Sequence, residues 1–86
     1  MMWKAKVVVT YKPGILDPEA RTIHQALVSL GYTDFNHIET GKYFQLTFKE
    51  KMTRDQAEVI AREVCDKLLS NPVIQKYTFE MAEVSE

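Results

Sequence analysis

Between Trp3 and Tyr11, every second side chain is apolar, while most of the intervening ones are polar. A two-residue period that includes β-branched side chains is typical of a strand with one buried face. Pro13 and Gly14 favour a turn directly afterwards, so we expect the strand to end there. The side chains predicted to share one face are Trp3, Ala5, Val7, Val9 and Tyr11.

The next segment carries the signals of an amphipathic helix from about Pro18 to Leu30. Asp17 is suited to the N-cap, and Pro18 to the first helical position, where its missing N–H would have no helical partner. Gly31 is suited to end the helix in the left-handed conformation. The apolar stripe of this helix consists of Ala20, Ile23, Leu27 and Leu30.

Two further strands are predicted after the helix. Residues 33–40, with the sequence TDFNHIET, form a weak strand pattern, and KYFQLTFKE at 42–50 forms a stronger one. In the second segment, Phe44, Leu46 and Phe48 alternate with more polar side chains. We expect an antiparallel pair that is joined near Thr40 and Gly41.

The C-terminal third predicts a second helix and a last strand. Thr53 and Gln56 fit a capping box, and the helix should end near Ser70 because Pro72 disfavours a helical residue before it. Tyr77, Phe79 and Met81 then alternate with other side chains, as in a strand. The predicted helical stripe consists of Ala57, Ile60, Ala61, Val64 and Leu68.

The element order β-α-β-β-α-β predicts a single α+β domain over residues 1–86 with a ferredoxin-like fold. Such a domain has a four-stranded antiparallel sheet with two helices on one face. This topology supports many unrelated functions, so function has to be argued from particular residues.

Composition and charge exclude several classes of function. The 86 residues include 11 basic and 12 acidic side chains, a net charge of -1, which gives no general attraction to nucleic acid or anionic membranes. No apolar run approaches the roughly 18 residues of a transmembrane helix, and the N-terminus does not have a signal-peptide pattern. The single cysteine cannot form an internal disulfide, so we expect a reducing, cytoplasmic setting.

The residues that could carry chemistry are sparse. Cys65 lies beside the apolar stripe of the second helix, which favours a buried structural thiol over a nucleophile. His24 and His37 have no Cys or carboxylate pattern around them, which favours polar histidines over metal ligands. The sequence therefore predicts no catalytic, cofactor-binding or metal-binding residue.

Two other functions of this topology lack the residues that they need. An RNA-recognition motif would start with a basic residue, Gly and an aromatic residue, whereas this chain has Thr40, Gly41 and Lys42. An acylphosphatase-like activity would need an arginine in an anion-binding loop after the first strand, where the chain offers Lys12. We regard that lysine as a solvated strand-end residue in the first instance.

The chain resembles the PurS family, the small subunits of phosphoribosylformylglycinamidine synthase, from about Lys4 to Met81. The most specific segments are KPGILDPE, followed by a helix that ends in SLGY, and the stretch CDKLLSNPVIQKY from Cys65 to Tyr77. The segment TGKYFQLTF adds to the resemblance. The region 33–40 matches the family only weakly.

The resemblance implies a role in de novo purine synthesis. The enzyme converts formylglycinamide ribonucleotide to formylglycinamidine ribonucleotide with ATP and with ammonia drawn from glutamine. It implies that this chain is a homodimeric or tetrameric subunit without an active site of its own. It would bridge the glutaminase and synthetase subunits and help to protect the ammonia, while ATP and magnesium bind the synthetase. No cofactor, nucleic acid or membrane is expected to bind this chain.

The turn after the first strand is the predicted partner surface. Pro13 and the capped helix keep the turn stiff, which lowers the entropic cost of presenting Ile15 and Leu16 to a partner. The same two side chains fit equally well as core beneath the sheet edge. Gly14 is expected to adopt a positive φ. The predicted interface residues are Lys12, Gly14, Ile15, Leu16, Asp17, Gly41 and Lys42.

An ACT-like regulatory module is the alternative function, because it uses the same topology to bind small molecules at a dimer interface. Calorimetric titration of the isolated chain with amino acids and nucleotides separates the two functions, since only the regulatory module would bind tightly.

Overall fold

The structure is a computed structural model that describes residues 2–84. In this range the chain forms three strands, two α-helices and one π-helical turn. In chain order the elements are β1 Met2–Tyr11, α1 Pro18–Ser29, β2 Gly41–Thr47, α2 Arg54–Val64, the π-helical turn Cys65–Leu69 and β3 Gln75–Val84.

The three strands form an antiparallel sheet with β1 in the centre, in the order β2-β1-β3. The predicted alternation of β1 is confirmed, because Ala5, Val7 and Val9 are buried. Val7 pairs with Phe44 of β2 and with Phe79 of β3, so one apolar row crosses the whole sheet. The pleat therefore gives the sheet one apolar face.

Helix α2 lies over the central strand. Its predicted capping box is present: the Thr53 hydroxyl accepts from the Gln56 N–H at 3.1 Å, and the Gln56 side chain accepts from the Thr53 N–H at 3.0 Å. Ala57, Ala61 and Cys65 recur every four residues and are 0% exposed. Because these side chains are small, α2 can approach β1 closely.

The π-helical turn extends the contact between α2 and the sheet. The Ser70 N–H and hydroxyl both donate to the Cys65 carbonyl, at 3.1 and 2.9 Å. In this wide i→i+5 turn, Leu69 lies on the same face of the helix as Cys65 and packs against the core. Cys65 is buried, as predicted, and this burial raises the pKa of its thiol. The helical segment also ends before Ser70, as predicted.

The predicted strand over 33–40 is not confirmed, so the sheet has three strands rather than four within residues 2–84. The segment runs along α1 instead. The Phe35 carbonyl lies 3.4 Å from His24 Nε2, and the Thr40 N–H donates to the Asp17 carboxylate at 3.0 Å. Gly41 is also not in a hairpin turn, because it begins β2 opposite Thr10.

Helix α1 lies away from the sheet, so the prediction of two helices on one face is not confirmed. Ile23 and Leu30 of its apolar stripe are 40% and 72% exposed, and the core cluster contains no residue of α1. The Cα radius of gyration is 16.7 Å, whereas a compact chain of this length has about 12 Å. Residues 12–40 therefore form a projecting segment, which we call the arm.

Candidate functional site

The predicted interface residues converge where the arm leaves the sheet. Lys12, Gly14, Ile15 and Asp17 line an open depression of about 320 Å³ whose other wall is formed by residues 37–40. Gly41 and Lys42 line a smaller adjoining cavity of about 60 Å³, which shares Tyr11 and Thr40 with the first. Leu16 borders a further depression along α1. The structure thus brings both halves of the predicted surface to one end of the molecule.

Asp17 joins the start of the arm to its end. Its carboxylate accepts from the Ala20 N–H at 3.0 Å, which confirms the predicted N-cap. The same carboxylate accepts from the Thr40 N–H at 3.0 Å and from the Thr40 hydroxyl at 2.9 Å. The backbone donors of Ala20 and Thr40 lower the pKa of Asp17 from its ordinary value of 3.8. Sequence analysis missed the contact with Thr40, which lies 23 residues away along the chain.

Lys12 fixes the other side of the turn. Its backbone N–H donates to the Ile74 carbonyl at 2.9 Å, and its ammonium donates to the Pro72 carbonyl. The two most specific sequence segments therefore meet in space. The Lys12 side chain was expected to be solvated, but in the structure it positions the turn against residues 71–74.

The tip of the turn is stiff and apolar. The Ile15 N–H donates to the Lys12 carbonyl at 3.1 Å, and Gly14 has a φ of +83°, which confirms the predicted positive φ. Ile15 and Leu16 are 38% and 63% exposed, so neither side chain is part of the core. Exposed apolar side chains on a fixed turn are suited to docking, and their role in docking stays a prediction.

Gly41 has a structural role at the other half of the surface. A Cβ atom at this position would lie 2.4 Å from the Val9 carbonyl oxygen and 3.0 Å from Thr10 Cγ2. The strands β1 and β2 therefore approach each other at a point where only glycine fits. Lys42 follows in β2 with an exposed side chain.

The two histidines of the arm contact other groups of the arm itself. His37 lies 3.5 Å from Glu39 on the surface, and His24 lies beside the Phe35 carbonyl. Within residues 2–84, no group of three or more His, Cys, Asp or Glu side chains could hold a metal ion. Over the same range, no helix is both long and apolar enough to cross a membrane.

We expect Gly41→Ala to destabilise the fold by about 1–3 kcal/mol, because the added methyl group has to displace the Val9 backbone. Chemical denaturation measures the change. Thr47→Ala, at the exposed far end of β2, is the control and should cost less than about 1 kcal/mol. Equal stabilities of Gly41→Ala and wild type would contradict the close approach of the strands.

The Asp17 contacts predict a specific sensitivity to acid. Because the pKa of Asp17 is lower in the folded chain, its contribution to stability is complete above its ordinary pKa and is lost as the pH falls through the folded-state pKa. Acidification from about pH 6 to about pH 3 should therefore lower the Tm, measured by thermal unfolding, more in wild type than in Asp17→Asn. The asparagine keeps an N-cap acceptor but does not titrate.

Asp34→Asn removes an exposed carboxylate of the arm outside these contacts and is the matched control. It should retain the acid sensitivity of the wild type. If Asp17→Asn and wild type lose the same Tm on acidification, the charge of Asp17 does not stabilise the arm.

Comparison with known proteins identifies the family of this chain. A family model described as PurS, phosphoribosylformylglycinamidine (FGAM) synthase, matches residues 4–83. The phosphoribosylformylglycinamidine synthase subunit PurS of Bacillus subtilis is 42% identical over 83 residues, which cover 96% of each chain.

Solved structures share the fold. The C2 crystal form of Bacillus subtilis PurS superposes with a TM-score of 0.81 at 38% identity, covering 94% of this chain and 99% of that one. Methanocaldococcus jannaschii PurS, described as one of the subunits of formylglycinamide ribonucleotide amidotransferase in the purine biosynthetic pathway, has a TM-score of 0.73 at 34% identity, covering 96% and 99%. On this evidence, the chain belongs to the PurS family, whose members are subunits of phosphoribosylformylglycinamidine synthase.

Proposed function

We propose that this chain is a non-catalytic assembly subunit of phosphoribosylformylglycinamidine synthase, which bridges the glutaminase and synthetase subunits in the cytoplasm. The observation that carries the proposal is the match to the PurS family over residues 4–83. The chain contributes binding surface to the reaction of formylglycinamide ribonucleotide, ATP and glutamine. ATP and magnesium bind the synthetase subunit.

The need for such a subunit follows from the chemistry of the nitrogen donor. Ammonia released from glutamine at one subunit has to reach the activated substrate at another without escaping to water. A bridging chain holds the two sites in a fixed relation and excludes solvent from the route between them. This task requires a rigid surface and no reactive side chain.

The turn at the base of the arm is the surface that we assign to a partner subunit. Leu16 is 63% exposed, and the Asp17–Thr40 and Lys12–Pro72 hydrogen bonds hold the backbone around it. A turn that is already ordered loses little conformational entropy on binding, so more of the contact energy appears as affinity.

Self-association is the second part of the proposal, in the form of a homodimer or tetramer. A small single-domain chain that leaves one helix off its core exposes more apolar surface than a stable monomer normally does. The exposed apolar side chains include Ile23 on α1 and Leu30 at its C-terminal cap. Ile60 on α2 and Leu68 in the π-helical turn are exposed as well.

Reconstitution with the glutaminase and synthetase subunits from the same source tests the bridging role. With ATP, substrate and glutamine, the chain should be required for amidine formation, and Leu16→Asp should lower turnover by at least about tenfold, the effect of about 1.4 kcal/mol of lost binding energy. With ammonium as the nitrogen donor the requirement should be weaker, because no transfer between subunits is needed.

Val59→Asp is the matched control, because Val59 is also an exposed apolar side chain but lies on α2, remote from the turn. It should support turnover like the wild type. Equal glutamine-dependent turnover with and without the chain, or product formed by the chain alone, would contradict the proposed function.

A further inference from the structure

The face of the sheet opposite α2 is left open by residues 2–84. Because successive side chains of a strand point to opposite faces, the burial of Val7 and Val9 beneath α2 places Val8 on this second face. Val8 and its cross-strand neighbour Tyr43 are 42% and 55% exposed. We call this surface the outer face and define it by Lys4, Lys6, Val8, Tyr43, Lys76 and Glu80.

The centre of the outer face is an open depression of about 510 Å³. The Tyr43 hydroxyl, at one side of it, accepts a hydrogen bond from the Gln45 side chain at 2.9 Å. Tyrosine is enriched among the anchors of protein interfaces, because its ring offers a large contact area and loses little conformational entropy on binding. The side chains that line the depression include Lys6, Val8, Tyr43, Thr78 and Glu80.

The charge of the outer face is opposite in sign to that of the whole chain. Lys4, Lys6 and Lys76 lie on this face together with a single acidic side chain, Glu80, which gives +2. The whole chain carries -1. Lys6 is directly opposite Glu80, yet neither Lys4 nor Lys6 forms an ion pair with a residue in the range 2–84. Both ammonium groups are therefore available to an anionic partner.

An acidic protein surface fits these features better than a nucleic acid does. Sheets that read RNA stack two or three bases on aromatic side chains, whereas Tyr43 is the one aromatic side chain on this face among the described residues. The negative net charge of the chain also repels a long polyanion. Carboxylates of a protein partner, in contrast, could pair with Lys4 and Lys6 around an apolar contact at Val8 and Tyr43.

We propose that the outer face docks an acidic surface of another subunit of the synthase, with Tyr43 and Val8 at the centre of the contact and Lys4 and Lys6 at its rim. This inference rests on the proposed function. It gives the chain a second contact surface besides the turn at the base of the arm, and a bridge has to hold two partners at once. Backbone hydrogen bonds on both sides of β1 keep the outer face rigid, so docking has a low entropic cost.

Titration of the reconstituted synthase tests this surface. The full chain is added to fixed amounts of the glutaminase and synthetase subunits with ATP, substrate and glutamine, and the concentration of chain that gives half-maximal turnover is measured. Lys6→Glu should raise that concentration by at least about tenfold, because the new carboxylate would face carboxylates of the partner. Glu80→Gln should lower it by about twofold or more, because it removes the acidic side chain of the outer face.

Lys67→Glu is the matched control, because it makes the same reversal of charge on the helix side of the sheet, where the Lys67 side chain is 78% exposed. It should saturate the synthase at the same concentration as wild type. Raising the salt concentration from about 50 mM to about 300 mM should weaken wild type more than Lys6→Glu, since screening removes an attraction that the variant does not have. Circular dichroism checks that the three variants are folded.

The possible failures are distinguishable. If folded Lys6→Glu saturates the synthase like wild type, or Glu80→Gln weakens the response, the outer face does not dock an acidic partner, and the proposed function stands. If wild type is not required for glutamine-dependent turnover, the proposed function fails and this inference with it. Light scattering of the isolated chain separates the remaining occupant: a molar mass that differs between Lys6→Glu and wild type would assign the outer face to a second copy and overturn the proposal.

Discussion

The burial of one apolar sheet face is the constraint on which the rest of this structure depends. The pleat directs Ala5, Val7 and Val9 to one side, and α2 covers them through a row of small side chains that ends in Cys65. Helix α2 lies over the central strand, and the apolar side chains of both edge strands, such as Phe44 of β2 and Phe79 of β3, are only partly buried. Part of the apolar face therefore stays accessible at both edges of the sheet.

The arm carries α1 away from the core cluster on the sheet. Short hydrogen bonds at its base, from Thr40 to Asp17 and from Lys12 to the segment 71–74, fix the direction in which the chain leaves the sheet. These bonds also hold the exposed turn that carries Leu16. The same few contacts therefore fix both the direction of the arm and the conformation of the turn that we propose as a docking surface.

Local features of the fold were predictable from the sequence, and long-range ones were not. Asp17, Gly31 and Thr53 act within one helical turn of themselves, so their roles as caps could be inferred from neighbouring residues. Strand formation at 33–40 depends on a partner strand that no local pattern specifies. Likewise, the stripe of α1 shows that the helix has an apolar face but not which surface covers it.

In the candidate site, too, local features were predictable from the sequence and long-range contacts were not. The turn and the positive φ of Gly14 follow from Pro and Gly chemistry, whereas the contact of Asp17 with Thr40 requires the three-dimensional path of the arm. Gly41 was expected to lie in a hairpin turn, but it is required where β2 meets the Val9 carbonyl. Assignment to the PurS family rested on two long segments, KPGILDPE and the stretch from Cys65 to Tyr77, and no single residue would have sufficed.

The central proposal is that the chain is stable as a self-associated subunit, and the dependence of unfolding on protein concentration tests it most directly. If folding and association are coupled, a hundredfold increase in protein concentration should stabilise the dimer by about 2.7 kcal/mol and raise the midpoint of thermal unfolding. A midpoint that is the same across that range would show that the chain folds to its full stability alone, and would contradict the account.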